Sequence, residues 1–172
     1  DAYRIQLSSR HATQVPLAYV QVKSSWLTFK GPSEVLQDLT ALIRNFGEVA
    51  GEERISRADM YVDFVCAEAL DALPHTSFVS RAELVQSFSL GRMGSGYTIG
   101  QGGIFSARLY DKTKELKKSK KEYLKPIWAE AGWEPGETVW RLEFQWRREP
   151  LVEHQISNLE SLLEKLGPLW RY

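Results

Sequence analysis

The sequence is poor in the residues that staple a chain, ligate soft metals or span a bilayer. It has one cysteine, Cys66, in 172 residues. A single thiol excludes a disulfide framework and any Cys-based zinc site. Cys66 lies in the apolar run 62–67 and reads as a buried thiol of a reducing compartment. Three histidines, His11, His75 and His154, stand far apart and form neither H-x-H nor H-E-x-x-H. They read as structural or surface residues, and a nuclease centred on a histidine pair is unsupported. No apolar run reaches the roughly 18 residues of a transmembrane helix, and no signal peptide is recognisable. Net charge is also lacking, because 22 Lys and Arg balance 22 Asp and Glu.

What remains is an ordinary globular composition, 43% hydrophobic and 26% charged, which excludes disorder, collagen and coiled coil for the whole chain. The length suits one domain over 1–172 and is enough to bury a core without staples. The sequence begins at Asp1 rather than Met and stops at Trp170-Arg171-Tyr172. It is expected to be a piece of a longer protein, truncated at its C-terminal end.

The neutral total hides a local asymmetry. Segment 108–125 holds eight basic residues (Arg108, Lys112, Lys114, Lys117, Lys118, Lys120, Lys121 and Lys125) against Asp111, Glu115 and Glu122, a net charge of +5. Such a stripe is either a solvated helix face or a phosphate-binding surface.

Hydrophobic periodicity gives the element order. Strands are predicted at 3–8, 15–23 and 26–30, with Gly31-Pro32 closing the third. Ser33 is expected to cap a helix running to about Asn45, stopped by Gly47. A long strand follows at 55–65, then a short helix at 67–73. The glycine-dense stretch 91–103 lacks a G-x-x-x-x-G-K-[ST] motif and reads as a β-hairpin, with strands at 97–99 and 104–111. The basic segment continues as a helix to about Ala131. A strand at 138–147 precedes a last helix opened by Pro150. The predicted fold class is α+β, with a largely antiparallel central sheet and helices packed on one face.

Three of these strands share a pattern. Side chains alternate across a strand, so Arg57, Asp59, Tyr61 and Asp63 share one face of the first. Ser106, Arg108, Tyr110 and Lys112 share a face of the second. Arg141, Glu143, Gln145 and Arg147 lie opposite the apolar Trp140, Leu142, Phe144 and Trp146 in the third. Antiparallel sheets normally have a wet side, but acids, arginines and a tyrosine at strand centres are more than solvation needs. If the strands are neighbours, Tyr110, Glu143 and Asp59 or Asp63 converge. Carboxylates without cysteine favour a hard cation, Mg²⁺ or Mn²⁺. Asp59 and Asp63 lie four residues apart, roughly 13 Å in a strand, so a shared ion is disfavoured and the choice between them stays open.

The blocks ISRADMYVDF (55–64), SGYTIGQGGIFSARLYDKTKE (95–115), VWRLEFQWRRE (139–149) and LGPLWRY (166–172) resemble the replication initiation factor family. That family holds rolling-circle initiators of plasmids and filamentous phages and related relaxases of conjugative elements. The resemblance covers roughly 50–172 and rests on four motifs in order, R-x-D, R-[IL]-Y-[DN]-K, W-R-x-E and L-W-R-Y. It implies an HUH-nickase-like catalytic domain that nicks one DNA strand and transfers it through a 5′-phosphotyrosyl intermediate. Tyr110 is then the nucleophile, with Tyr61 and Tyr97 the next candidates. Asp59 and Glu143 are the implied metal ligands, and Asp63 a weaker one.

Arg108 and Lys112 are candidates to favour the ionised phenol, and Lys112 alternatively to protonate the leaving 3′ oxygen. Arg57, Arg141, Lys114, Lys117, Lys118, Lys120 and Lys121 are expected to meet DNA, single-stranded or in an origin hairpin. Trp128 and Trp133 either stack bases or pack in the core. The resemblance further implies a plasmid- or phage-encoded protein of a prokaryotic cytoplasm. Host helicase or replication machinery would be its partners, with a homodimer possible in principle and no membrane. A conjugative relaxase of the same chemistry and a non-enzymatic nucleic-acid-binding domain are the alternatives.

Overall fold

The computed structural model describes every residue except 1, 10, 12–14, 67, 69, 81, 83, 91, 92 and 172, and omits the side chains of 75, 90 and 93. Gly91, Tyr172 and parts of the 67–73 segment therefore lie outside the described residues. The chain divides into two compact units, Asp1–Glu52 and Glu53–Tyr172.

In the first unit β1 (Tyr3–Leu7) pairs antiparallel with β2 (Ala18–Val22). Two helices follow, α1 (Ser24–Lys30) and α2 (Pro32–Arg44). The segment predicted as a strand at 26–30 is thus helical. Five residues are too few to separate a period of 2 from one of 3.6, and tertiary contacts decide. The Trp26 indole donates to the Tyr3 hydroxyl at 3.1 Å, and that hydroxyl donates to the Val35 carbonyl at 3.3 Å. Gly31, at φ 76°, ends α1, and Pro32 occupies the first turn of α2, where its missing N–H is not needed. Gly31 rather than Ser33 holds the cap position.

The second unit is built on a five-stranded antiparallel sheet of order β3-β7-β6-β5-β4. Its strands are β3 (Arg57–Val65), β4 (Val85–Leu90), β5 (Met93–Ile99), β6 (Phe105–Asp111) and β7 (Val139–Arg147). The hairpin expected around Gly100 joins β5 to β6, with Gly100 and Gly102 at φ 70° and 83°. The serine-containing edge strand β4 has no counterpart in the sequence reading. Among the described residues of the segment predicted as a helix at 67–73, Leu70–Ala72 form a 3₁₀ turn.

The three strands with charged faces are neighbours, and β7 lies between the other two. The apolar face carries Ala58, Met60, Phe105, Phe144 and Trp146. Leu151, Ile156 and Leu169 cover it from α5 (Arg148–Glu153) and α7 (Leu166–Arg171) and from the link between α5 and α6 (Leu159–Glu164). The single last helix of the sequence reading is broken into these three. Gln155 adopts a left-handed φ of 56°, and Asn158 starts α6 anew through a capping box with Ser161.

Helices do not lie on one face alone. α3 (Lys112–Ser119) and α4 (Leu124–Glu130) bring Leu116, Leu124 and Trp128 onto Val139, which has the parity of Arg141 and Glu143. The cause is the short exit from β6. Asp111 caps α3 by accepting from the Lys114 N–H at 2.8 Å, so the chain turns immediately over the charged face. The basic segment is two helices rather than one because Lys120 takes a left-handed φ of 55° and ends α3.

Candidate active site

Register decides which charged residues meet. In β6 and β7, Tyr110 stands opposite Arg141 and Arg108 opposite Glu143. In β3 and β7, Asp63 stands opposite Arg141, Tyr61 opposite Glu143, and Asp59 opposite Gln145. Tyr110, Glu143, Arg108, Arg141, Tyr61, Asp59 and Asp63 therefore occupy one continuous face.

Arg141 organises its centre. Its Nε and Nη2 donate to Asp63 Oδ1 and Oδ2 at 2.6 and 2.7 Å. The Trp128 indole donates to the same carboxylate at 2.9 Å. The guanidinium lies over the Tyr61 ring, 3.6 Å from its centroid, a cation–π stack. Arg141 is only 4% exposed. It is an internal strut rather than the DNA contact expected of it. Asp63, a candidate metal ligand, has both oxygens committed to this pair. Trp128 packs in the core with Trp133, the ring centroids 5.7 Å apart.

The Tyr110 hydroxyl donates to Glu143 Oε2 at 3.1 Å. Burial pushes the phenol's pKa up, and the Glu143 carboxylate pushes it the same way because it disfavours a second anion. The cation that opposes this most is Arg141. The Tyr110 backbone packs closely on Gly96, directly across on β5. A Cβ on Gly96 would lie 2.6 Å from Tyr110 Cβ and collide with the Leu109 carbonyl.

Lys112 does not extend β6. It opens α3, is 1% exposed, pairs with Glu115 and lies over the Tyr110 ring, 5.6 Å from the centroid. Burial lowers its pKa, with the Glu115 hydrogen bond opposing. Lys114 is likewise turned inward, 3.1 Å from Asp111 and 3.8 Å from Asp71, and donates to the Gly94 carbonyl at 3.2 Å. Arg108 remains open, its side chain 54% exposed and 3.9 Å from Glu143. Arg57 forms a two-bond pair with Asp59 at 2.7 and 2.5 Å. Lys117, Lys118 and Lys120 are exposed and Lys121 is half-buried. Tyr97 is buried and donates to the Asp71 and Leu73 carbonyls at 3.1 and 2.8 Å, a structural role.

Among the described residues no three His, Cys, Asp or Glu side chains converge. Asp59 and Glu143 are one diagonal step apart across β3 and β7, with backbones roughly 7–8 Å apart. Mg²⁺ is commonly held by one or two carboxylates, water and substrate phosphate. Both aspartates are paired with an arginine, but the Asp59–Arg57 pair is exposed while Asp63 is sealed under Arg141 and Trp128. Asp59 and Glu143 therefore fit that habit better than Asp63.

Sequence reasoning missed Glu115 and Gly96 as parts of this site, and the bond from Trp128, read as a base stacker or a core residue, to Asp63. Glu115 was reachable, because Asp111 as an N-cap puts Lys112 and Glu115 at i and i+3 of a helix. Trp128 and Gly96 depend on long-range packing and register, for which no local signal exists. Comparison of the chain with protein-family models, with curated proteins and with solved structures returned no match.

Two outcomes follow from this geometry. Asp63→Ala leaves a buried, unpaired guanidinium and should destabilise the second unit by about 3–5 kcal/mol in denaturant titration. The double variant Asp63→Leu, Arg141→Met should lose much less, and a single-variant loss below about 1 kcal/mol would contradict the buried pair. A phenol that binds its proton more tightly folded than unfolded contributes stability that is full below the ordinary pKa of about 10 and is lost as pH rises past it. Wild-type stability should therefore fall more steeply above about pH 10 than that of Tyr110→Phe, by up to one proton in slope. Equal slopes would contradict a phenol held neutral by burial and by the Glu143 carboxylate.

Proposed function

We propose that this chain is a metal-dependent DNA nickase and strand transferase of the rolling-circle initiator kind, on an HUH-nickase-like sheet, with Tyr110 as nucleophile. One observation carries the reading. A tyrosine hydroxyl is hydrogen-bonded to a carboxylate at the centre of a three-strand charged face, at 3.1 Å, with an open arginine beside it. That supplies a nucleophile, a proton acceptor and a phosphate-binding cation within one site.

In the proposed step Tyr110 Oη bonds to the phosphorus of a single-stranded DNA phosphodiester. The P–O3′ bond breaks, leaving a 5′-phosphotyrosyl ester and a 3′-OH that can prime synthesis. Glu143 is the nearest acceptor for the phenol's proton. Arg108 is placed to bind a phosphate oxygen, being exposed and on the Tyr110 face. Lys112, 1% exposed and paired with Glu115, supports the Tyr110 ring from the buried side rather than reaching the 3′ oxygen, which takes its proton from water. Arg141 is the cation that opposes the burial and the Glu143 charge, both of which disfavour the phenolate, so proton transfer to Glu143 accompanies attack. A Mg²⁺ or Mn²⁺ held by Asp59 and Glu143 would supply Lewis-acid stabilisation of the phosphate. The exposed Lys117, Lys118 and Lys120 offer the strand a salt-sensitive electrostatic track. The ester retains the bond energy, so the reverse reaction religates DNA.

A second reading, a sheet face that binds nucleic acid without cleaving it, is favoured by the arginine partners of Asp59 and Asp63. One gel separates the two. Labelled single-stranded oligonucleotides from the origin region of the encoding replicon are incubated with Mn²⁺ or EDTA. A denaturant-resistant protein–DNA adduct is expected with wild type and Mn²⁺, and none with EDTA or with Tyr110→Phe. Binding without any adduct would favour the second reading.

A further inference from the structure

Trp170 and Arg171 of the L-W-R-Y motif have no role in the chemistry above, yet they border the site. An open groove of about 540 Å³ runs along the outer edge of β3, between Asp59, Met60 and Tyr61 on the strand and Leu166, Trp170 and Arg171 on α7. Its volume falls within the range of small-ligand clefts. Two aromatic rings reach the surface there, Tyr61 at 38% exposure and Trp170 at 40%. Each is pinned on one side. Arg141 covers one face of Tyr61 at 3.6 Å, and Trp170 meets Phe144 edge to face with centroids 5.3 Å apart. A pinned, half-exposed ring is a stacking platform whose ordering is already complete before a ligand arrives. The groove also carries both signs of charge, the Asp59 carboxylate, whose remaining lone pairs lie beyond its Arg57 pair, at one border and the Arg171 side chain at the other.

We infer that this groove receives an unpaired nucleobase of the DNA strand whose phosphate lies at Tyr110, stacking it on Trp170 beside Tyr61. The occupant is argued from chemistry and from continuity. A flat heterocycle with exocyclic amines matches two aromatic rings and a carboxylate acceptor, and the adjoining phosphate matches Arg171. Tyr61 stands directly opposite Glu143, the residue that accepts from Tyr110. The groove therefore begins at Tyr61, two strand spacings, roughly 10 Å, from β6. It turns round the β3 edge to Trp170 on the α7 side, so its base belongs to a nucleotide a short way along the strand from the scissile phosphate. The inference rests on the nicking reading for the position of that phosphate, but the groove's affinity for a base is independent of cleavage.

The test is an abasic scan, read as equilibrium binding in EDTA so that no chemistry intervenes. Origin-region oligonucleotides, each with one abasic position, are titrated against wild type, Trp170→Ala and Trp170→Phe. Base–aromatic stacking is worth about 1–3 kcal/mol, so one abasic position should weaken wild-type binding by roughly 5- to 150-fold. That penalty should vanish in Trp170→Ala and largely survive in Trp170→Phe, which keeps a ring and the packing on Phe144. No penalty at any position in the wild type overturns the inference. So does an equal penalty in wild type and Trp170→Ala, as expected if the groove instead takes a peptide strand along the β3 edge. A Trp170-dependent penalty in a protein that forms no Tyr110 adduct upholds the groove and sinks the nicking reading. A normal adduct with no Trp170-dependent penalty does the reverse.

Discussion

The bidentate pair between Asp63 and Arg141 is the interaction on which the charged face depends. Two ionised side chains are taken largely out of water and matched fork to fork, with the Trp128 indole satisfying a further lone pair. Such a pair gives little net stability against a well-packed apolar substitute, because desolvation offsets most of the attraction. Its contribution here is position. It fixes the guanidinium flat on Tyr61 and beside Tyr110, and it ties β3 to β7 and to α4 at one point. The phenol of Tyr110 then sits between a fixed cation and the Glu143 carboxylate, its acidity set by their opposition and by burial.

The topology supplies the frame for that pair. β7 lies between β3 and β6, so one residue of β7 can face a partner on either side. Arg141 meets Asp63 on one side and Tyr110 on the other, and Glu143 meets Tyr61 and Arg108 in the same way. The other side of β7 is filled by Trp146 and Phe144 against α5 and α7. The charged side is then narrowed at one end by α3 and α4, which desolvates Lys112 and Arg141 while leaving Arg108 open. The face is thus graded from a sealed end at α4 to an open end at Asp59, where the β3 groove begins.

Much of this frame was legible from alternation alone. The parity of Asp59, Tyr110, Arg141 and Glu143 put each on the charged face of its own strand, because side-chain direction in a strand is a local property, and the adjacency of the strands made those faces one. What each charge does was not legible. Arg141 and Lys114 look like free cations in the sequence and are internal partners in the fold, since pairing depends on register across residues 78 apart in the Arg141–Asp63 case. The helix α1 was misread because its residues favour strands locally while Tyr3 and Val35 stabilise a helical turn. The breaks at Lys120 and Gln155 fall on non-glycine residues in left-handed conformations, for which composition gives little warning.

The central claim is that Tyr110, and no other tyrosine of the charged face, takes the DNA. Peptide mapping of the nuclease-trimmed adduct by mass spectrometry addresses it directly. Trypsin releases Tyr110 in the short fragment Leu109–Lys112, Tyr61 in residues 58–81 and Tyr97 in residues 93–108. The account predicts the nucleotide mass on the Leu109–Lys112 fragment. A nucleotide on either of the other two fragments would contradict it.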